Sequence, residues 1–75
     1  EEGSIEIQNQ GRDVLLTDLL VRGGFVSSSA RAKVGIREGQ VRVNGAVATN
    51  VGALVPTGQH SISVGDGGEQ SVVVR

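Results

Sequence analysis

Seventy-five residues with a net charge of −1 and no cysteine leave room for one hydrophobic core, and they exclude a disulfide framework and thiolate chemistry. The single aromatic, Phe25, and a prevalence of Val point to a small core of β-branched side chains, a composition that suits short strands. No run approaches the ~18 apolar residues of a membrane span, and no charged-then-apolar leader opens the chain, so a cytoplasmic location without a membrane partner is expected.

Glu1-Glu2-Gly3 stand where an initial Met is absent, from which either a trimmed start or a chain cut from something longer is expected. Ser4 to Gln8 alternates polar and apolar residues, the pattern of a strand with Ile5 and Ile7 on its buried face. Asn9-Gln10-Gly11 turns the chain. Asp13 is the expected cap of a helix in which Leu15, Leu16, Leu19 and Leu20 recur at the spacing of one face, and Gly23-Gly24 ends that helix. Phe25 and Val26 pin the following connection to the core. Ser27, Ser28 or Ser29 is then the N-cap of a second helix, its side-chain oxygen accepting from an otherwise unpaired backbone N–H. A catalytic serine would need a base beside it, and His60, the chain's one histidine, is distant in sequence, so capping is the reading adopted.

The second helix runs from about Ser29 to Glu38, with Ala32 and Ile36 as its apolar stripe and Lys33 and Arg37 on an outer stripe. Arg31 falls on a different part of the helix. Gly39 stops it. Gln40 to Val43 and Ala46 to Thr49 flank Asn44-Gly45, the strongest short hairpin signal, because both turn positions tolerate positive φ. From Asn50 to Gly58 the chain is apolar but irregular, and Gly52, Pro56 and Gly58 predict a loop with Leu54 and Val55 packed inward. Ser61 to Val64 and Ser71 to Val74 are two further strands, joined as a hairpin through Gly65-Asp66-Gly67-Gly68.

Catalysis lacks its parts. His60 has no second His and no Cys with which to hold zinc, and in a stretch read as a loop leading to a strand it is expected at a surface or edge. Capping and solvation account for Asp13 and Asp18, on or beside the first helix. Gly65-Asp66-Gly67-Gly68 precedes no helix, so it lacks the helix N-terminus that phosphate-binding loops present. What remains is charge segregation. Arg22, Arg31, Lys33, Arg37 and Arg42 against Glu38 give the stretch from 22 to 42 a balance of +4, while the rest of the chain carries −5. Such a division sets a positive surface where phosphates can dock. The lack of exposed aromatics speaks against reading single-stranded bases by stacking, and structured RNA approached through backbone and shape fits better.

The order Leu16, Leu19-Leu20, Gly24, Ser28, Ala32, Ile36, Gly39, Val41, Val43, Asn44, Gly45 resembles the RNA-binding domain named after ribosomal protein S-four, the αL motif, over about Val14 to Val64. Glu38 to Gly45 is a fairly specific part of that match. Among small members the chain most resembles the YbcJ-like proteins, through its added N-terminal strand, Asp18-Leu19-Leu20 and Ala30-Arg31-Ala32-Lys33. The resemblance implies a non-enzymatic binder of ribosomal or transfer RNA. It also implies that Arg31, Lys33, Arg37 and Arg42, which match the family's basic positions, face RNA. Ser28 and Asn44 shape the helix start and the turn. Two positions differ from the common pattern: Ser29 stands where Arg usually follows the capping Ser, and Asn50 to Leu54 is uncharged where a basic run often follows the hairpin.

The expected protein is an α+β domain over residues 1–75, with its core match over 14–64, in which two short helices pack on a small, mostly antiparallel sheet. It is expected to bind RNA as a monomer, with the ribosome or a ribosome-associated protein as a further partner and with no cofactor or metal. Two alternatives stand beside this reading. One is a protein-interaction module using the apolar loop Val51 to Val55. The other is a β-grasp carrier, which acts through a free C-terminal Gly-Gly, whereas this chain ends Val73-Val74-Arg75 with Gly67-Gly68 inside it.

Overall fold

The computed structural model describes residues 4–75; Glu1-Glu2-Gly3, and with them the expectation of a trimmed start, lie outside the described residues. β1 (Ile5–Ile7) and β2 (Val14–Leu15) lead into α1 (Leu16–Arg22) and α2 (Ser29–Arg37). β3 (Val41–Val43), β4 (Ala46–Val47), β5 (Leu54–Val55), β6 (Gly58–Val64) and β7 (Gln70–Val74) follow. Five strands form one sheet in the order β1-β7-β6-β3-β4, in which β1 and β7 run parallel and the other neighbours antiparallel. β2 pairs with β5 in a separate antiparallel ladder. This is the expected α+β class, two helices on a mostly antiparallel sheet.

Successive side chains of a strand point to opposite faces, so alternation decides which residues meet the helices. Ile7, Val41, Ile62, Val72 and Val74 meet Leu16, Leu19 and Leu20 of α1 and Ala32 and Ile36 of α2 in one buried cluster. Removing each large aliphatic side chain from water contributes about 1.5–3 kcal/mol, which makes this cluster the main favourable term of the fold. Arg42, Ser63, Gln59 and Glu6 occupy the alternate positions, on the face away from the helices.

Both helices end in the same way. After α1, the backbone N–H of Phe25 donates to the Leu20 carbonyl at 2.9 Å and that of Gly24 to Val21 at 3.1 Å, with Gly24 at φ +80°. After α2, Gln40 donates to Gly35 at 2.9 Å and Gly39 to Ile36 at 3.1 Å, with Gly39 at φ +72°. These are paired Schellman closures, in which a glycine free to adopt positive φ lets the last carbonyls of the helix find donors. The chain therefore leaves each helix in a set direction, first toward Phe25 and then into β3.

Several details depart from the sequence reading. Asp13 does not cap α1: the N-cap is Leu15, extended at φ −63° and ψ 138°, with no side-chain cap bond. The N–H of Leu16 instead donates to the Ala53 carbonyl at 2.9 Å, so the residue just before β5 satisfies the helix start. Leu15 consequently lies in β2 and outside the core, 47% exposed. The stretch from Asn50 to Gly58 is not loop throughout, because Asn50 Oδ1 accepts from Gly52 N–H at 2.9 Å and the Asn50 carbonyl from Ala53 at 3.0 Å, folding a turn that delivers β5 to β2. In that ladder Val55 is buried as expected, but Leu54 alternates outward and is 57% exposed. Finally, β4 stops at Val47, and β6 begins at Gly58, so His60 lies half-buried within a strand.

Candidate nucleic-acid interface

The site begins at Ser28. Its extended backbone starts α2 and its Oγ accepts the N–H of Arg31 at 3.3 Å, so this serine's hydroxyl belongs to the cap, as expected of one of the three serines. Ala32 and Ile36 are fully buried and fix the roll of the helix. That roll leaves Arg31, Lys33 and Arg37 exposed. At 100° per residue Arg31 and Lys33 point about 200° apart, so Lys33 and Arg37 line one flank of α2 while Arg31 lines the other. α2 has no acid in its first turn, and Arg37 in its last turn is favoured by the helix dipole.

Of the five cations that gave the stretch its charge, one is otherwise engaged. Arg22 Nη1 meets Asn9 Oδ1 at 3.1 Å and Asp18 Oδ2 at 3.2 Å, and its Nη2 donates to the Gln8 carbonyl. It fastens α1 to the chain leaving β1. The four-residue spacing of Asp18 and Arg22 was the signal for half of this clamp; the Asn9 half joins residues 13 apart and had none. Arg31, Lys33, Arg37 and Arg42, by contrast, make no ion pair among the described residues.

Arg42 does not join the α2 stripe. It sits opposite Val47 and Ser63 on the sheet face away from the helices and lines an open groove of about 610 Å³ with Gln40 and the turn that carries Asp66 and Glu69. The predicted cations thus lie on both sides of the sheet, those of α2 on the helix side and Arg42 on the opposite face.

Asn44 holds the adjoining hairpin. It adopts φ +53° and Gly45 φ +85°, the two positive angles that the Asn-Gly pair predicts. A backbone N–H can only donate, so the atom that meets Ser61 N–H at 2.9 Å is the Asn44 oxygen Oδ1, and Nδ2 is directed to His60 Nδ1 at 3.1 Å. Nδ1 must then accept, which leaves the ring proton on Nε2, where it is donated to the Pro56 carbonyl at 2.8 Å. His60 is a structural link between the hairpin and the segment before β6. Among the described residues no group of three or more His, Cys, Asp or Glu is placed to hold a metal ion.

Sequence reasoning missed one surface feature altogether. Arg31 borders a second groove, of about 340 Å³, whose walls include Phe25, Val34 and Val64. It lies on the Arg31 flank of α2, the side away from Lys33 and Arg37.

A sequence model of the S4 domain matches residues 15–60. YbcJ of Escherichia coli (strain K12) is 44% identical over 57 residues, which are 68% of this chain and 81% of that protein. YbcJ of Shigella flexneri matches over the same shares. The solution structure of YbcJ from E. coli, which reveals an αL motif involved in RNA-binding, is similar with a TM-score of 0.63 at 32% sequence identity. That similarity covers 97% of this chain and 89% of the other.

Proposed function

Because the chain belongs to the S4 domain family, we propose that it binds structured ribosomal or transfer RNA, without catalysis, by setting α2 and the β3–β4 hairpin against the phosphate backbone. The observation that carries this reading is the state of the cations: Arg31, Lys33, Arg37 and Arg42 are exposed and free of carboxylate partners among the described residues, whereas Arg22 and Arg75 are held by Asp18 and Glu6. An unpaired guanidinium or ammonium can exchange its counterions for RNA phosphates without first breaking an internal pair. Ser28 and Asn44 serve by position, one starting the helix and the other holding the turn. Arg42 faces the other way from α2, so RNA following all four cations passes over the short β4 edge. The αL motif of YbcJ, described as involved in RNA-binding, supports the same reading. On this view residues 1–75 act as one monomeric cytoplasmic module, with the ribosome or an associated protein as partner.

The test is an amide-shift titration with a transfer RNA and with a ribosomal RNA fragment at two salt concentrations, repeated on the Lys33→Glu, Arg37→Glu double variant. Shifts on Ser28 to Asn44 that fade with salt and in the variant are expected. Absence of shifts at low salt would sink the reading.

One observation favours a second reading. Leu15 and Leu54 are cross-strand partners in the β2–β5 ladder and both stand in solvent. A protein partner seated on them would move the β2 and β5 amides and leave α2 unchanged.

A further inference from the structure

A glycine inside α2 is unexplained by packing. Gly35 lowers helix stability, because glycine loses more conformational freedom than any other residue on folding. No positive φ requires it, and a Cβ built there would meet only Val41 Cγ2, at 3.5 Å, an ordinary contact. The helix would accept alanine. What the missing side chain does instead is leave open the groove between α2 and the chain at Phe25, because Gly35 is part of its lining.

The groove has a rigid aromatic wall. Phe25 is the only Phe, Tyr or Trp in the chain. Its ring lies over Gly23, where a Cβ would come within 2.9 Å of Cε2 and 3.1 Å of Cδ2, and its N–H is held by the Leu20 carbonyl. Val34 and Val64 add apolar surface; Val34 is 48% exposed although it sits on a helix whose apolar stripe is elsewhere. The rim is polar and charged, with Arg31, Glu38 and Gln40. A fixed ring, apolar walls, a cation able to take a phosphate and a carboxylate able to accept from an exocyclic amino group are the complement of one nucleotide.

We propose that this groove receives a single unpaired nucleotide of the bound RNA, its base against Phe25 and Val34 and its phosphate on Arg31, and that Gly35 is glycine so that the base can enter. This rests on the RNA reading above and extends it: Lys33 and Arg37 read backbone on one flank of α2, while the Arg31 flank selects a bulged or looped-out base. Arg31 joins the two, because it belongs to the cationic helix and to the groove rim at once. The site favours adenosine over uridine, since Glu38 needs an amino group to accept from.

The experiment measures binding of two fluorescent RNA hairpins, alike except that one carries a bulged adenosine and the other an abasic residue at the same place. The protein as described should bind the adenosine hairpin roughly five- to tenfold more tightly, the lower end of what stacking one base on an aromatic contributes. Gly35→Leu fills the groove and should abolish that preference, with Gly35→Ala intermediate and more heat-stable than the parent. Phe25→Leu should weaken the preference as well. With 13C-labelled protein and unlabelled RNA, the Phe25 ring resonances, which share the protein's aromatic region only with His60, should shift on adding the adenosine hairpin and not the abasic one. Equal affinity for the two hairpins, or a preference that survives Gly35→Leu, overturns the groove assignment and leaves RNA binding standing. Failure of both hairpins to bind at low salt overturns the RNA reading and the groove with it.

Discussion

Asn44 Nδ2 donates to His60 Nδ1 at 3.1 Å, and the direction of that bond is imposed by a second one, from Ser61 N–H to Asn44 Oδ1. One side chain therefore supplies a turn angle, a strand contact and the tautomer of a histidine. Its replacements separate these contributions. Asn44→Gly keeps access to positive φ and loses the side-chain bonds, at a cost of about 1 kcal/mol; Asn44→Ala adds the strain of a Cβ at φ +53° and should cost about 2–3 kcal/mol. Urea unfolding of the two variants checks the order, and equal losses would contradict the assigned role of the turn angle.

Arg22 and Arg37 should behave oppositely. Arg22→Gln breaks the links to Asn9, Asp18 and the Gln8 carbonyl, so it should lower stability by about 1 kcal/mol with little change in RNA affinity. Arg37→Gln removes no internal bond among the described residues and should leave the unfolding midpoint near that of the parent. If the protein neutralises about three phosphates, its log–log salt slope is about −2 to −3, and losing Arg37 should reduce it by about 0.7–0.9. Anisotropy titrations across a salt series measure both numbers.

Gly35, inside α2, and Gly39, just past its end, give substitutions of opposite sign. Gly35→Ala fits at 3.5 Å from Val41 and should stabilise by about 0.5–1 kcal/mol, raising Tm by several degrees. Gly39→Ala places a Cβ at φ +72° and should destabilise by about 1 kcal/mol. Thermal unfolding of this pair, four residues apart, tests the helix ending directly.

Neighbouring residues of β5 should differ as sharply. Val55→Ala empties part of the core and should cost about 2 kcal/mol. Leu54→Ser removes a side chain already in solvent and should change stability by no more than about 0.5 kcal/mol. A large loss for Leu54→Ser would mean that the Leu15–Leu54 pair contributes to the fold rather than lying free on its surface.

The parts of this fold that could be read from the chain are those whose cause lies within a few residues. Ser28 caps its helix through an N–H three positions on, Asn44-Gly45 sets its own turn angles, and Ala32 with Ile36 declares a buried stripe. Leu15 misled because its periodicity with Leu19 is real, yet the bond that decides where the helix begins comes from Ala53, far along the chain. Leu54 misled for the complementary reason: an apolar residue in an irregular stretch has no period from which to read its face until β2 supplies a register. Of the candidate site, the cations were visible as composition and the separation of Arg31 from Lys33 and Arg37 as helical spacing, but the place of Arg42 on the far face of the sheet depends on the register that β3 takes with β4 and β6. The groove beside Phe25 was hidden because a glycine announces a turn before it announces an absence.

The parallel pairing of β1 with β7, Ile5 beside Val72 and Ile7 beside Val74, ties an early strand to the last one. During synthesis β1 emerges long before its partner exists, whereas α1, α2 and the β3–β4 hairpin can assemble from neighbours already outside the ribosome. Closing the longest loop comes at the end of folding, since the entropy of bringing distant segments together is met only once the rest of the sheet offers a place to dock. A nascent chain halted before β7 would therefore carry the cationic helix and the hairpin with the Ile5 and Ile7 edge still unpaired. A pulse of amide exchange during refolding should find Ile7 protected later than Ile36.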